Sequence, residues 1–253
     1  MSYRNYTKFF RQAPRWARVT TYALAFVVVA ATLNWIYQVV RKPAELFFPV
    51  SGALSKTPAE TWREYAALFR QHSTALMTPE LLAALAQVEG AGNPVARTPW
   101  RVRVSTDPRE VYRPASTAVG MYQITDGTFQ MAKRYCIHGH VAVEEGCWFN
   151  SFYLRVIPSH AIELTSAYLD RSVAAILAAR PIKASAAQRQ ELAALIHLCG
   201  ASAGDAFARR GFRLAPEQRC GGHDVRAYLA QVARHLHATF QRHGAKSIAA
   251  VAL

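Results

Sequence analysis

Upstream of Glu45 the chain has no acidic residue, and acids stay scarce throughout: 16 Asp and Glu against 30 Lys and Arg, for a net charge of +14. Such an imbalance suits an anionic partner, whether nucleic acid, lipid headgroups or a wall polymer. Also missing are a zinc finger, an RNA-binding motif and a Gly-rich phosphate loop with its lysine. Their absence points away from nucleic acid. There is no repeat, no low-complexity tract and no convincing run of alternating strand residues. The expected fold class is therefore mainly α. No motif calls for a cofactor, and none is expected.

Cysteine is scarce too, with only Cys136, Cys147, Cys199 and Cys220. An even number in an exported chain suggests disulfides, and four cysteines allow three pairings. Pairing of sequence neighbours, Cys136–Cys147 and Cys199–Cys220, is expected. The alternative is a metal site built from Cys136, His138, His140 and Cys147, but the spacing is not that of a zinc ribbon. No metal is expected.

Charge is also missing from Val19 to Val40, a run close to the ~20 residues that cross a bilayer as a helix. Trp16, Tyr22, Trp35 and Tyr37 sit towards its ends, where amphipathic rings prefer to lie. Arg4, Lys8, Arg11, Arg15 and Arg18 precede it, whereas only Arg41 and Lys42 follow before Glu45. The positive-inside rule then places residues 1–18 in the cytoplasm as a basic tail, with 19–40 as the inner-membrane anchor. A cleaved signal peptide is the competing reading, because Ala23–Ala31 resembles a short apolar core; the apolar run continuing past Ala31 favours the anchor.

Residues 41–57 read as an extended linker, held by Pro43, Pro49 and the Pro58 that follows, before one domain over 58–253. Thr57-Pro-Ala-Glu60 is a capping box opening a helix to about Gln71. Thr78-Pro79 opens the next helix, ended by Gly90 and Gly92, with Leu81, Leu85, Val88 and Glu89 on one stripe. Residues 93–118 look irregular. A helix is expected from Thr125 or Asp126 to Cys136, then a loop or short hairpin over 139–151. Helices near 159–179, 186–199 and 224–241 follow, the last two separated by a Gly/Arg/Pro-rich stretch over 200–222.

The most informative stretch runs from Leu81 to Gln123. One carboxylate, Glu89, ends an apolar helix, and the Gly120 turn follows in Ala118-Val-Gly-Met-Tyr-Gln-Ile124. Burial and the negative end of a helix dipole both disfavour ionisation, so such a Glu is expected to stay protonated, ready for general-acid work on a glycosidic oxygen. The alternative is an exposed helix-end glutamate.

Glu89, Asn93-Pro94 and the 118–124 turn together resemble the transglycosylase SLT domain of the lytic transglycosylases, enzymes with an α+β lysozyme-like fold. Ile162-Glu-Leu-Thr-Ser-Ala-Tyr168-Leu169 is similar to that family's Tyr-Leu helix. Leu195-Ile-His197-Leu-Cys-Gly200 falls where the family carries Ala-Ala-Tyr-Asn-Ala-Gly, and the resemblance covers about 78–205. There are departures: Gly90 replaces a serine, Thr117 a glycine, Pro114 a serine with Ser116 close by, and His197-Leu198 a Tyr-Asn pair. Residues 97–113 resemble an insertion.

The resemblance implies cleavage of the MurNAc–GlcNAc bond of peptidoglycan with a 1,6-anhydro product. Glu89 is the single acid and base, and the substrate's N-acetyl group stands in for a second carboxylate. It implies substrate contacts from Ser116, Gly120, Met121, Tyr122, Gln123 and His197. Left to the residues alone, Gln123 reads equally as a tie between helices, and Tyr122 and His197 as core. Trp100, Tyr112 and Trp148 are candidate sugar platforms, and His223, His235, His237 and His243 read as a solvated helix face. The expected partners are glycan strands, the inner membrane and an envelope assembly or secretion complex. Two rivals stay open: a muramidase with Glu163 or Asp126 as second acid, and a wall-binding module that has lost activity.

Overall fold

A single unbroken helix, α1 (Arg15–Arg41), covers the uncharged run and extends past both of its ends. It belongs to a computed structural model that describes residues 13–47, 50–179 and 182–251. The described chain is mainly helical, 61% helix and 9% strand. It divides into two units, one holding residues up to 46 together with 99–115, the other holding 47–98 and 116 onward.

In the first unit, α1 is long and apolar enough to cross a membrane. Its side chains are mostly exposed from Trp16 to Leu33. After that, Asn34 donates its amide to the Tyr112 carbonyl at 2.8 Å, and Gln38 donates to the Arg109 carbonyl at 2.9 Å. Those acceptors lie in residues 99–115, which are a folded hairpin and not the irregular stretch expected. Strand β1 (Trp100–Val102) pairs antiparallel with β2 (Tyr112–Pro114), and a helical turn, Pro108–Val111, lies between them. Lys42 and Glu45 form a buried ion pair at 3.2 Å, and Trp100 Nε1 donates to Glu45 Oε2 at 2.7 Å. The expected extended linker is instead partly coiled, with 3₁₀ turns at Pro43–Phe47 and Ser51–Leu54; Phe48 and Pro49 lie outside the described residues.

The second unit follows its caps closely. Thr57 and Glu60 make the full reciprocal box, opening α2 (Pro58–Gln71), which buries Trp62, Tyr65 and Phe69. Thr78 caps α3 (Pro79–Gly90). From Leu81 to Ala86 every residue of α3 is buried, so it is a central helix wrapped on all sides instead of one with a single apolar stripe. It packs on α2 and on the last helix.

Helix α4 (Asp126–Ala132) stops short of Cys136, because Cys136 opens β3 (Cys136–His138), paired with β4 (Val141–Val143), and is bonded to Cys147. Helix α5 (Pro158–Ala178) buries an unbroken run from Ala161 to Leu169. Helix α6 (Ala186–Cys199) begins on a Ser185–Gln188 capping box. The Gly/Arg/Pro-rich stretch over 200–222 contains α7 (Ala201–Arg209), which the sequence did not announce. Gly200, at φ 82°, breaks the path, and a Cβ on Gly204 would lie 2.5 Å from Ile196 Cγ1. These glycines mark a break and a close crossing. The short pair β5 (Arg219–Cys220) and β6 (His223–Asp224) leads into α8 (Val225–Val251). The second disulfide is Cys199–Cys220, so both bridges join sequence neighbours as expected. No group of metal-ligating residues occurs among the described residues.

Candidate active site

Glu89 lies in the last turn of α3, whose next residue, Gly90, touches the 120–121 backbone. A Cβ at position 90 would fall 2.8 Å from Met121 Cα and 2.9 Å from its carbonyl oxygen. The serine that the resemblance would place there has no room, and glycine permits the contact. Thus the carboxyl-bearing helix end and the glycine turn are packed directly against each other.

That turn is tight and well braced. Val119 and Ile124 exchange hydrogen bonds at 3.1 and 3.2 Å, with Gly120 at φ 81° and Gln123 at φ 46°. The Gln123 amide donates to the Ala96 and Gly120 carbonyls at 3.2 and 2.9 Å. Arg155 donates to the Thr117 and Ile124 carbonyls at 2.9 and 2.8 Å and pairs with Asp126 at 2.7 Å. Nothing in the sequence marked Arg155, which lies 31 residues beyond Ile124.

Three helices converge on Glu89. Tyr228 of α8 donates its phenol to Glu89 Oε1 at 2.6 Å. His197 Nε2, from α6, lies 3.6 Å from the same oxygen, the His197 and Glu89 side chains being 9% and 15% exposed. Burial raises the Tyr228 pKa well above the phenol range, helped by the charge of Glu89 and the hydrogen bond to it, so the hydroxyl keeps its proton to donate. Both contacts fall on Oε1. Among the described residues no hydrogen bond reaches Oε2. The sequence reading missed Tyr228. Its spacing with Val225, Leu229 and Val232 marks a buried face, but nothing in it names a partner 139 residues away.

Several expected substrate contacts are corrected. Met121 and Tyr122 are wholly buried, and the Tyr122 hydroxyl donates to the Leu82 carbonyl at 3.0 Å. They are core residues, with Tyr122 lying edge-on to His197 at 6.4 Å. Gly120 makes room for protein: its absent Cβ would lie 2.5 Å from the Arg155 carbonyl. Gln123 is a tie within the turn. Ser116 is exposed, and its hydroxyl accepts the Ala118 N–H at 3.1 Å.

Trp100 packs on Tyr112 at 4.9 Å in the hairpin unit and bonds Glu45, a strut more than a sugar platform. Trp148 is 70% exposed beside Phe149, at 4.4 Å, and keeps an open face. Of the C-terminal histidines, His235 is half-buried, and burial followed by nearby Arg234 lowers its pKa. His223 and His237 are exposed, and the side chain of His243 lies outside the described residues.

The two candidate second acids are committed elsewhere. Glu163 is buried, accepting the Ile137 N–H at 3.0 Å on Oε1 and the Tyr153 phenol at 2.6 Å on Oε2, with His72 Nδ1 at 3.7 Å. Asp126 is held by Arg155. Comparison of the chain with protein-family models, with curated proteins and with solved structures finds no match in any of the three.

Proposed function

We propose that the chain is a lytic transglycosylase of peptidoglycan, with a lysozyme-like domain outside the cytoplasm and α1 as its inner-membrane anchor. The observation that carries this reading is the placement of Glu89. It is a mostly buried carboxyl at a helix end, packed on a glycine turn, steadied through Oε1 by Tyr228 and His197, and with Oε2 left to a ligand.

In the proposed reaction, Glu89 protonates the glycosidic oxygen between MurNAc and GlcNAc as the C1–O bond breaks. The substrate's acetamido oxygen closes on C1 from the opposite face. The Glu89 carboxylate then takes the proton of the muramic 6-hydroxyl, whose oxygen attacks C1 and displaces the acetamido group. Glu89 ends protonated, no water is consumed, and the product is 1,6-anhydro-MurNAc. A hydrolase needs a second carboxylate across the bond. Glu163 and Asp126 are already engaged, which supports the single-acid route.

Glu89→Gln tests the reading. It is expected to abolish clearing on a peptidoglycan zymogram while leaving the fold intact, because the amide keeps the volume and the acceptor for Tyr228. Mass analysis of digested sacculi is expected to find anhydro-muropeptides. Reducing ends would make the protein a muramidase, clearing that survives Glu89→Gln would mean that Glu89 is not the catalyst, and a native chain that clears nothing would leave it a wall-binding module.

A further inference from the structure

The helix α1 is longer than a bilayer requires. Its 27 residues span about 40 Å at 1.5 Å per residue, against roughly 30 Å of hydrocarbon. Asn34 and Gln38 show where the surplus goes. Both spend their amide donors on backbone carbonyls of the 99–115 hairpin, and Gln38 is buried in doing so. An amide that bonds to a folded hairpin is not packed among lipid tails. The apolar stretch exposed without a break is Val19 to Leu33, and the hairpin begins at the level where it ends.

The surface of that hairpin is unusual for a water-facing element. Strand β1 and the two residues after it read Trp100-Arg101-Val102-Arg103-Val104, with Val102 75% exposed and Val104 fully exposed. Arg101 and Arg103 are exposed, and neither is paired with an acid among the described residues. The other arginines are committed: Arg109 to Asp107 at 2.9 Å, and Arg113 to Glu110 at 2.7 Å. Two unpaired guanidinium groups alternating with bare valines, next to a membrane-length helix, form an interfacial pattern: cations for phosphates, apolar side chains for the acyl boundary.

We propose that the hairpin over 99–115 is a membrane-surface foot. Arg101 and Arg103 bind the phosphates of anionic lipid in the leaflet where α1 emerges, and Val102 and Val104 dip below the headgroups. The proposal rests on reading α1 as a membrane-spanning helix. It is independent of what Glu89 does.

The test uses the full chain reconstituted into vesicles containing phosphatidylglycerol. All four native cysteines are in disulfides, so Val104→Cys takes a single environment-sensitive fluorophore. Nitroxide groups near the lipid headgroups are expected to quench it. Arg101→Gln with Arg103→Gln is expected to remove about 30-fold of the hairpin's preference for the surface and with it most of the quenching. Zwitterionic vesicles are expected to have the same effect. A Val104 label that stays unquenched overturns the proposal, as does a label shielded only when wall fragments or a soluble protein are added. A second label, Val28→Cys in α1, separates the causes. If it is quenched and Val104 is not, the anchor stands and the foot falls; if neither is quenched, both fall.

Discussion

Tyr228 holds Glu89 through one short bond to Oε1, which limits what the carboxyl can do. A phenol fixed on one oxygen leaves the other to meet the substrate and prevents the side chain from swinging out of the site. Tyr228→Phe removes that bond. Losing it leaves a mostly buried carboxyl oxygen one partner short, which costs about 1–3 kcal/mol, so the melting temperature is expected to fall and, on the proposed function, turnover on peptidoglycan is expected to fall roughly 10-fold as the carboxyl loses its fixed position. Unchanged turnover would mean that the phenol is only packing. Gly90→Ser introduces the residue that the resemblance would place there. It is nonetheless expected to destabilise the domain by roughly 1–3 kcal/mol, because the new Cβ meets backbone that no rotamer change can move. A melting temperature equal to that of the native chain would refute the close packing. The position of Glu89 was legible in the sequence because an acid after the apolar run Leu81–Ala86 is conspicuous. Tyr228 and Arg155 were not, because their roles depend on where distant helices cross, and no local pattern encodes that.

At the scale of elements, the caps were the readable part. The Thr57–Glu60 and Ser185–Gln188 boxes fix two helix starts in a few residues each, and breaking one has a known cost. Thr57→Ala is expected to lower stability by about 1 kcal/mol in a denaturant titration. Glycines were the unreadable part, since Gly204 looks like a loop in sequence and serves as a close helix crossing in space. The clamp between α2, α5 and the β3 strand was equally hidden. His72 faces Glu163 at 3.7 Å, bonds the Ser159 hydroxyl at 2.8 Å and lies near His160, while Tyr153 occupies the other side of Glu163. Burial lowers the His72 pKa, His160 lowers it further, and Glu163 only partly offsets them. The folded state therefore takes up a proton less readily than the unfolded chain does. This contribution to stability is complete above the ordinary histidine value near 6.5 and is lost as pH falls below it. Melting temperature is expected to drop between pH 7 and pH 5, and His72→Gln is expected to flatten that slope. His160, whose pKa burial also lowers, supplies the remainder.

On the scale of the whole molecule, the proposed placement outside the cytoplasm rests on two kinds of feature, charge and cysteine chemistry. No acid precedes Glu45, basic residues crowd the N-terminal side of α1, and both disulfides lie in the unit that holds 47–98 and 116 onward. Oxidised cysteines are ordinary outside the cytoplasm and rare within it. The bridges close loops with sequence separations of 11 and 21 residues, for which the loss of unfolded-chain entropy is worth about 3 kcal/mol each. For a domain of ordinary stability, roughly 5–15 kcal/mol, losing both would remove a large share. Chain made without export is thus expected to be reduced, to melt well below the exported form and to regain stability on oxidation. Cys199→Ala with Cys220→Ala is expected to cost the exported protein about 3 kcal/mol, because the bridge ties the end of α6, which carries His197, to the segment leading into α8, which carries Tyr228. On the proposed function, that variant is therefore also expected to lose wall-cleaving activity at temperatures where it is still folded. If activity and melting temperature were both unchanged, the bridge would be incidental to the site, and the disulfide argument for an external compartment would lose its functional support.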